Sequence, residues 1–186
     1  ALDVLRQRAS EIGAPLTEVD RVARIEDVQV GLGGTAFRLA SEFWGEHTVR
    51  VPLVGEHQAR NAGLAAEALA RLPDDLRPEW PELERGFLDV RWPGRFQVEQ
   101  LRGTTWIFDV AHNPAGVVEL LHTLERVAPR RPVVLLSAVL ADKAWQEMLL
   151  PLAGFVDGVV LTQAPSAPPA RRWETDAAAE WLGGRV

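Results

Sequence analysis

Seven polar residues have the types and spacing to do chemistry. His57 and Asn61 stand four apart, so a helix would set both on one face in its first turns. An asparagine amide both donates and accepts, which suits the edge of an adenine ring; a structural cap or a loop hydrogen bond would use it equally well. Arg95 ends the turn Trp92-Pro-Gly-Arg95, just before a strand, so its guanidinium would project from a rigid corner. That planar fork binds two phosphate oxygens at once, although many arginines are simple surface charges. In Phe108-Asp-Val-Ala-His-Asn-Pro114 an acid ends a strand, Asn113 can cap the next helix, and Pro114 takes its first position. A helix start of this kind attracts anions. Asp109 could hold a ribose hydroxyl or a metal-bound water and His112 could donate to a phosphate; alternatively, Asp109 and Asn113 only cap the turn and His112 packs against it. Ser137 and Lys143 follow a second strand and complete the set.

Other chemistries are disfavoured. With no cysteine there are no disulfides, thiolate metal sites or thiol nucleophiles. The four histidines show no compact ligand spacing, and no Ser-His-Asp order is visible. A formal charge of −6, with arginines scattered among acids, argues against a nucleic-acid surface. No apolar run approaches membrane-spanning length and no leader pattern opens the chain, so a cytoplasmic protein without membrane contact is expected. Gly31, Gly33 and Gly34 are not followed by Lys-Ser/Thr and fit a hairpin better than a phosphate loop.

The elements that must position these residues follow from periodicity and punctuation. Leu2, Leu5, Ala9 and Ile12 predict a helix over 2–12, stopped by Gly13 and Pro15. Alternating segments at 28–32, 36–40 and 48–53 predict a β-meander. An alanine- and leucine-rich helix is expected over 57–72, then a proline-rich connection over 73–92 with a short helix at 83–88. After a strand at 96–101, strands at 104–110, 133–139 and 156–162 alternate with helices at 115–127 and 143–150. That β-α-β-α-β series is the mark of a parallel sheet, with a loop at 163–171 and a last helix at 174–182. Ligands of open parallel sheets collect beyond the carboxyl ends of the strands, which sets Asp109, the stretch 138–143 and Thr162-Gln163 along one rim.

Gly55-Glu-His-Gln-Ala-Arg-Asn-Ala62, Trp92-Pro-Gly-Arg-Phe-Gln97 and Asp109-Val-Ala-His-Asn-Pro114 together resemble, in order and spacing, three signatures of the folylpolyglutamate synthase/dihydrofolate synthase family of the Mur ligase superfamily. Ala141-Asp-Lys143 and the segment Thr162 to Arg171 extend the likeness over nearly the whole chain. Val110 stands where the family usually has glycine, and Ser137-Ala138 where a glycine is common. His57-Gln58 and the Trp-Pro-Gly-Arg turn favour the folate branch over the cell-wall branches.

The resemblance implies an α/β architecture. Residues 1–88 would be the C-terminal part (β-meander plus helix) of the central ATP-binding domain, and 89–186 a Rossmann-like Mur ligase C-terminal domain with a mainly parallel sheet. It also implies that the chain is a fragment, short of a final edge, because the family's Gly-rich phosphate loop, magnesium-binding acid and modified lysine are not among these residues. The implied reaction is ATP-dependent phosphorylation of a carboxylate of dihydropteroate or a folate, followed by attack of the L-glutamate amine. His57 and Asn61 would then lie at the adenine, Arg95 at the phosphates, and Asp109 with His112 at the ribose and phosphates. Arg95, Asp109 and His112 would be the catalytic set, and Ser137 and Lys143 would lie near the incoming glutamate. Mg2+ would accompany ATP, held mainly by the missing N-terminal part. Two alternatives stand beside this: a Mur-type amino-acid ligase of cell-wall synthesis, and a non-catalytic nucleotide-binding module.

Overall fold

The computed structural model describes residues 2–185, which fall into two compact units. The first comprises residues up to Gln29, Gly34–Pro52 and Glu56–Arg91; the second comprises residues from Trp92 onward together with the short segments Val30–Gly33 and Leu53–Gly55.

In the first unit, helix α1 (Leu2–Ile12) and the single turn α2 (Val19–Val22) precede strands β1 (Ala23–Gly31), β2 (Gly34–Ser41) and β3 (Gly45–Val51), bonded in the order β1-β2-β3. Strands β2 and β3 are antiparallel, from Thr35 opposite Val51 to Ser41 opposite Gly45. Phe37, Leu39, Val49 and Val51 are buried, as period-2 alternation requires of one face. Gly34 has φ +134°, and a Cβ there would lie 2.2 Å from the Val51 carbonyl oxygen, so the meander passes this point only with glycine.

Helix α3 (Glu56–Leu69) turns small residues inward: Ala59, Ala62, Gly63 and Ala66 are buried. A Cβ on Gly63 would come 2.6 Å from Ile25 Cδ1, so this stripe lets the helix approach the sheet closely. The helix stops at Leu69 and not at the expected residue 72. Arg71 N and Leu72 N donate to Ala68 O and Leu69 O, and these i→i−3 bonds tighten the chain into turns ahead of Pro73. Helix α4 (Trp80–Asp89) begins earlier than expected because Glu79 and Glu82 form a capping box, with Pro81 in the first turn. The carboxylate of Glu67, 1% exposed, accepts from Ser41 Oγ (2.5 Å) and from Arg71 Nη1 (2.8 Å), which satisfies a buried charge.

In the second unit, β4 (Gln97–Leu101) and β5 (Thr104–Phe108) form an antiparallel hairpin. Helix α5 (Pro114–Val127), strand β6 (Val134–Ser137), helix α6 (Trp145–Phe155), strand β7 (Gly158–Leu161) and helix α7 (Thr175–Gly183) follow, with a 3-10 turn at Pro169–Arg171 before α7. Strands β6 and β7 run parallel, Val134 opposite Gly158 and Ser137 opposite Leu161. The parallel sheet is smaller than the β-α-β-α-β series suggested. Strand β5 is bonded to β4, and the β6–β7 pair forms a separate sheet. The reason is local: Arg102 (φ +52°) and Gly103 (φ +78°) make a two-residue turn with both centres left-handed, the geometry that matches strand twist in a hairpin.

Alternation along the parallel pair is clean. Leu135, Val159 and Leu161 pack against a core of Leu149, Ala153, Trp173, Ala178 and Leu182, whereas Val134, Leu136 and Val160 are 60%, 58% and 50% exposed. Parallel sheets usually bury both faces; here the described residues cover one. Val117, Met148 and Leu152 join α5 to α6, and Val54, Phe96 and Leu124 form a further buried cluster. Among the described residues no helix is long and apolar enough to cross a membrane.

Candidate functional site

Two of the predicted residues of the second unit, Arg95 and His112, stand on turns tied to the carboxylate of a third, Asp109, whereas Ser137 and Lys143 lie apart from it. Asp109, just past the end of β5, accepts from Phe96 N through Oδ2 (2.9 Å) and from Ala111 N through Oδ1 (2.7 Å). One side chain therefore ties the turn that carries Arg95 to the turn that carries His112. Val110 N donates to Gly94 O (2.9 Å), and Gly94 N donates to Gln97 Oε1 (3.0 Å), closing the same knot from its other sides. Phe96 sits at φ +44° and is buried in the Val54–Leu124 cluster, an anchor strong enough to hold a left-handed backbone.

Arg95 is exposed, with its guanidinium carbon 5.7 Å from the Trp92 ring centroid. Among the described residues it has no carboxylate partner, so its charge is not already neutralised. His112 is also exposed, and its Nδ1 lies 3.1 Å from Val110 O. A carbonyl only accepts, so in this contact Nδ1 carries a proton, and Nε2 is the nitrogen not engaged by Val110 O. In the neutral ring Nε2 accepts; it donates to a phosphate only when the ring is doubly protonated. Asn113 Oδ1 accepts from Gly116 N (2.8 Å), the N-cap that its position before Pro114 implied.

Ser137 ends β6, and its carbonyl accepts from Thr162 N (2.9 Å) just beyond β7, so the carboxyl ends of the two parallel strands are stitched together. Lys143 is half-buried in the turn before α6. Its N–H donates to Leu140 O (3.0 Å) and its carbonyl accepts from Trp145 N (2.8 Å).

His57 and Asn61 belong to α3 of the first unit and are linked there by a residue that spacing did not single out for the site. Gln58, 7% exposed, lies with Nε2 2.9 Å from His57 Nε2 and accepts through Oε1 from Asn61 Nδ2 (3.2 Å). An amide NH2 can only donate, so His57 Nε2 is the acceptor in that contact. In the sequence Gln58 figured only beside His57 as a mark of the folate branch; its burial was not legible. A cavity of about 510 Å3 in the first unit, lined by residues including Pro15, Thr17, Leu64 and Arg71, contains none of the predicted site residues. The polar groups described above and their bonds point to chemistry more directly than that volume does.

Residues 94–184 match the family model of the Mur ligase, glutamate ligase domain. The dihydrofolate synthase/folylpolyglutamate synthase of Mycobacterium tuberculosis is 32% identical over 165 residues, covering 87% of this chain and 34% of that protein. The enzyme of the same name from Bacillus subtilis is 30% identical over 158 residues, covering 80% of this chain and 35% of that protein. The chain thus spans about a third of the length of these curated relatives. The crystal structure of Mycobacterium tuberculosis folylpolyglutamate synthase complexed with ADP superposes with a TM-score of 0.79 at 30% identity, over 99% of this chain and 40% of that one. Matching signatures, matching fold and these likenesses agree: the chain belongs to the Mur ligase superfamily, in its folylpolyglutamate synthase/dihydrofolate synthase branch.

Proposed function

We propose that this chain serves as the nucleotide- and amino-acid-facing part of an ATP-dependent ligase that adds L-glutamate to dihydropteroate, to folates, or to both. Residues 1–88 would supply the C-terminal part of its ATP-binding domain and residues 89–186 its glutamate ligase domain. The observation that carries the reading is the pair of turns held by Asp109, one bearing the unpaired Arg95 guanidinium and the other the His112 ring. In the reaction, a carboxylate oxygen of the pterin substrate takes the γ-phosphoryl group of ATP and ADP leaves. The glutamate amine then attacks the acyl carbon, the C–O bond to phosphate breaks, and the amine gives up a proton. Positioning and charge stabilisation are what such phosphoryl transfer needs from a protein.

Arg95 would bind phosphate oxygens through its fork, and His112 would present Nε2 to a phosphate or ribose oxygen. Asp109 has a double task in this reading, because its carboxylate already fixes both turns. Asn61 and His57, braced by Gln58, would meet the adenine; the ADP complex of the 30%-identical neighbour supports a nucleotide. Ser137 and Lys143 would face the glutamate. Among the described residues no three His, Cys, Asp or Glu side chains gather into a metal site.

The test is turnover in the full-length protein, read as ADP released with dihydropteroate or a reduced folate plus L-glutamate. Arg95→Ala should lower kcat/KM on the order of 100-fold, the usual cost of removing one charge-stabilising group. Unchanged kinetics would take Arg95 out of the site, and glutamate-independent ADP release alone would reject the ligase assignment.

A further inference from the structure

The loops that leave the carboxyl ends of β6 and β7 are fastened to each other more thoroughly than two surface loops require. Ala141 N donates to Arg171 O (2.9 Å), and Leu140 and Arg172 form an isolated antiparallel bridge. The Arg171 side chain then reaches back across 29 residues, and its Nη2 donates to both oxygens of Asp142, at 3.1 and 2.8 Å. Asp142 immediately precedes Lys143, the only lysine in the chain. The arrangement is not what loop stability alone would select, because Arg171 Nε is buried without a hydrogen-bond partner. The Arg171 guanidinium also holds the Asp142 carboxyl below its ordinary range, so the clamp keeps its charge to lower pH than a free carboxylate would.

A rim at the ends of parallel strands is where substrates of such sheets bind, and Lys143 is the cation next to the clamp. We propose that Arg171 is a positioning residue: by gripping Asp142 it fixes the Lys143 ammonium on the strand rim, where Lys143 receives a carboxylate of the incoming amino acid. Lysine suits this task as a compact charge with rotatable donors, but its flexible stem confers no direction of its own. The direction comes from the backbone, held on one side by the bridge and the Arg171 clamp and on the other by the Lys143 carbonyl bond to Trp145 N. This inference rests on the ligase reading above.

Because Lys143 is the only source of a side-chain amine, amine-specific labelling followed by mass spectrometry reads its environment without interference from other lysines. In the 186-residue chain, Arg171→Ala and Asp142→Asn should each change the Lys143 labelling rate severalfold, while Arg171→Lys changes it less. In the full-length protein, Arg171→Ala should raise KM for L-glutamate about tenfold, leave kcat within about twofold and leave KM for ATP unchanged. Arg171→Lys should recover part of that loss, and the Arg171→Ala/Asp142→Asn double variant should be no worse than Arg171→Ala. L-glutamate should protect Lys143 from labelling in the wild type. An unaltered labelling rate in the chain overturns the clamp whatever the enzyme does. An unaltered KM for L-glutamate, or an equal rise in KM for ATP, overturns the positioning role. Absence of glutamate-dependent turnover in the wild type instead rejects the ligase reading, and this role falls with it.

Discussion

Replacing Gly94 by alanine would probe the knot that holds Arg95. Gly94 has φ +74°, and a left-handed backbone costs an alanine about 1–2 kcal/mol. The new Cβ would also lie 2.8 Å from Val110 Cγ1, well inside ordinary carbon–carbon contact. Val110 is 52% exposed and can turn aside, at a further cost of about 0.5–1.5 kcal/mol for an off-rotamer side chain. Together they give a loss of about 1.5–3.5 kcal/mol. Val110→Ala separates the two contributions, because the Val110 Cβ lies at 3.8 Å and makes only normal contact. In that background Gly94→Ala should cost about 1–2 kcal/mol, which leaves a coupling of about 1 kcal/mol between the sites. The assay is chemical denaturation of the four proteins. Amide hydrogen exchange at Phe96, Val110 and Ala111 would report on the knot itself, since a chain of two units need not unfold in one step. An equal cost of Gly94→Ala in both backgrounds would show that Val110 does not buttress the turn.

Asp109→Ala should raise the exchange rates of the Phe96 and Ala111 amides and lower stability by about 1–3 kcal/mol, the net worth of two hydrogen bonds at about 0.5–1.5 kcal/mol each. Asp109→Asn, which keeps one acceptor oxygen, should lose less; indistinguishable exchange in the two variants would show that the bonds contribute nothing. Asp157 gives a pH prediction. Its carboxyl is held below the ordinary carboxylate range first by the Val133 N–H (2.7 Å) and then by Arg131 (2.9 Å). A group depressed in the folded state stabilises above its unfolded pKa and loses that contribution as pH falls through its folded value. Acidification through and below the carboxylate range should therefore lower the denaturation midpoint of the wild type more steeply than that of Asp157→Asn, and parallel slopes would refute the linkage.

Local features were legible in the residue order and distant ones were not. Helix α1 lies where its apolar spacing set it, and the Asn113 cap follows from neighbours three apart, because both depend on bonds within a few residues. The turn between β1 and β2, at Leu32-Gly33, was likewise readable from its glycines as a hairpin. Strand β5 reads in order as the first member of a parallel series, yet the turn at Arg102-Gly103 claims it for β4 before any crossover can compete. Asp109's partner Phe96 and Arg171's partner Asp142 lie 13 and 29 residues away, and no periodicity reports such pairs. Among the site residues, spacing set His57 and Asn61 on one helix. It also put Asp109 on one rim with 138–143 and Thr162-Gln163, whereas β5 belongs to a separate antiparallel sheet and the parallel pair is β6 and β7. Spacing did not show that Gln58 braces His57 and Asn61, or that Asp109 is occupied by two backbone donors.

The shared carboxylate of Asp109 has a dynamic consequence. Two turns fastened to the same pair of oxygens cannot wander separately, so fluctuations of Arg95 and His112 are correlated through their backbones. A ligand anion met by one would find the other already arrested, and would forfeit only its own freedom on capture. Preorganisation of this sort lowers the ordering cost that a ligand of either turn would have to meet.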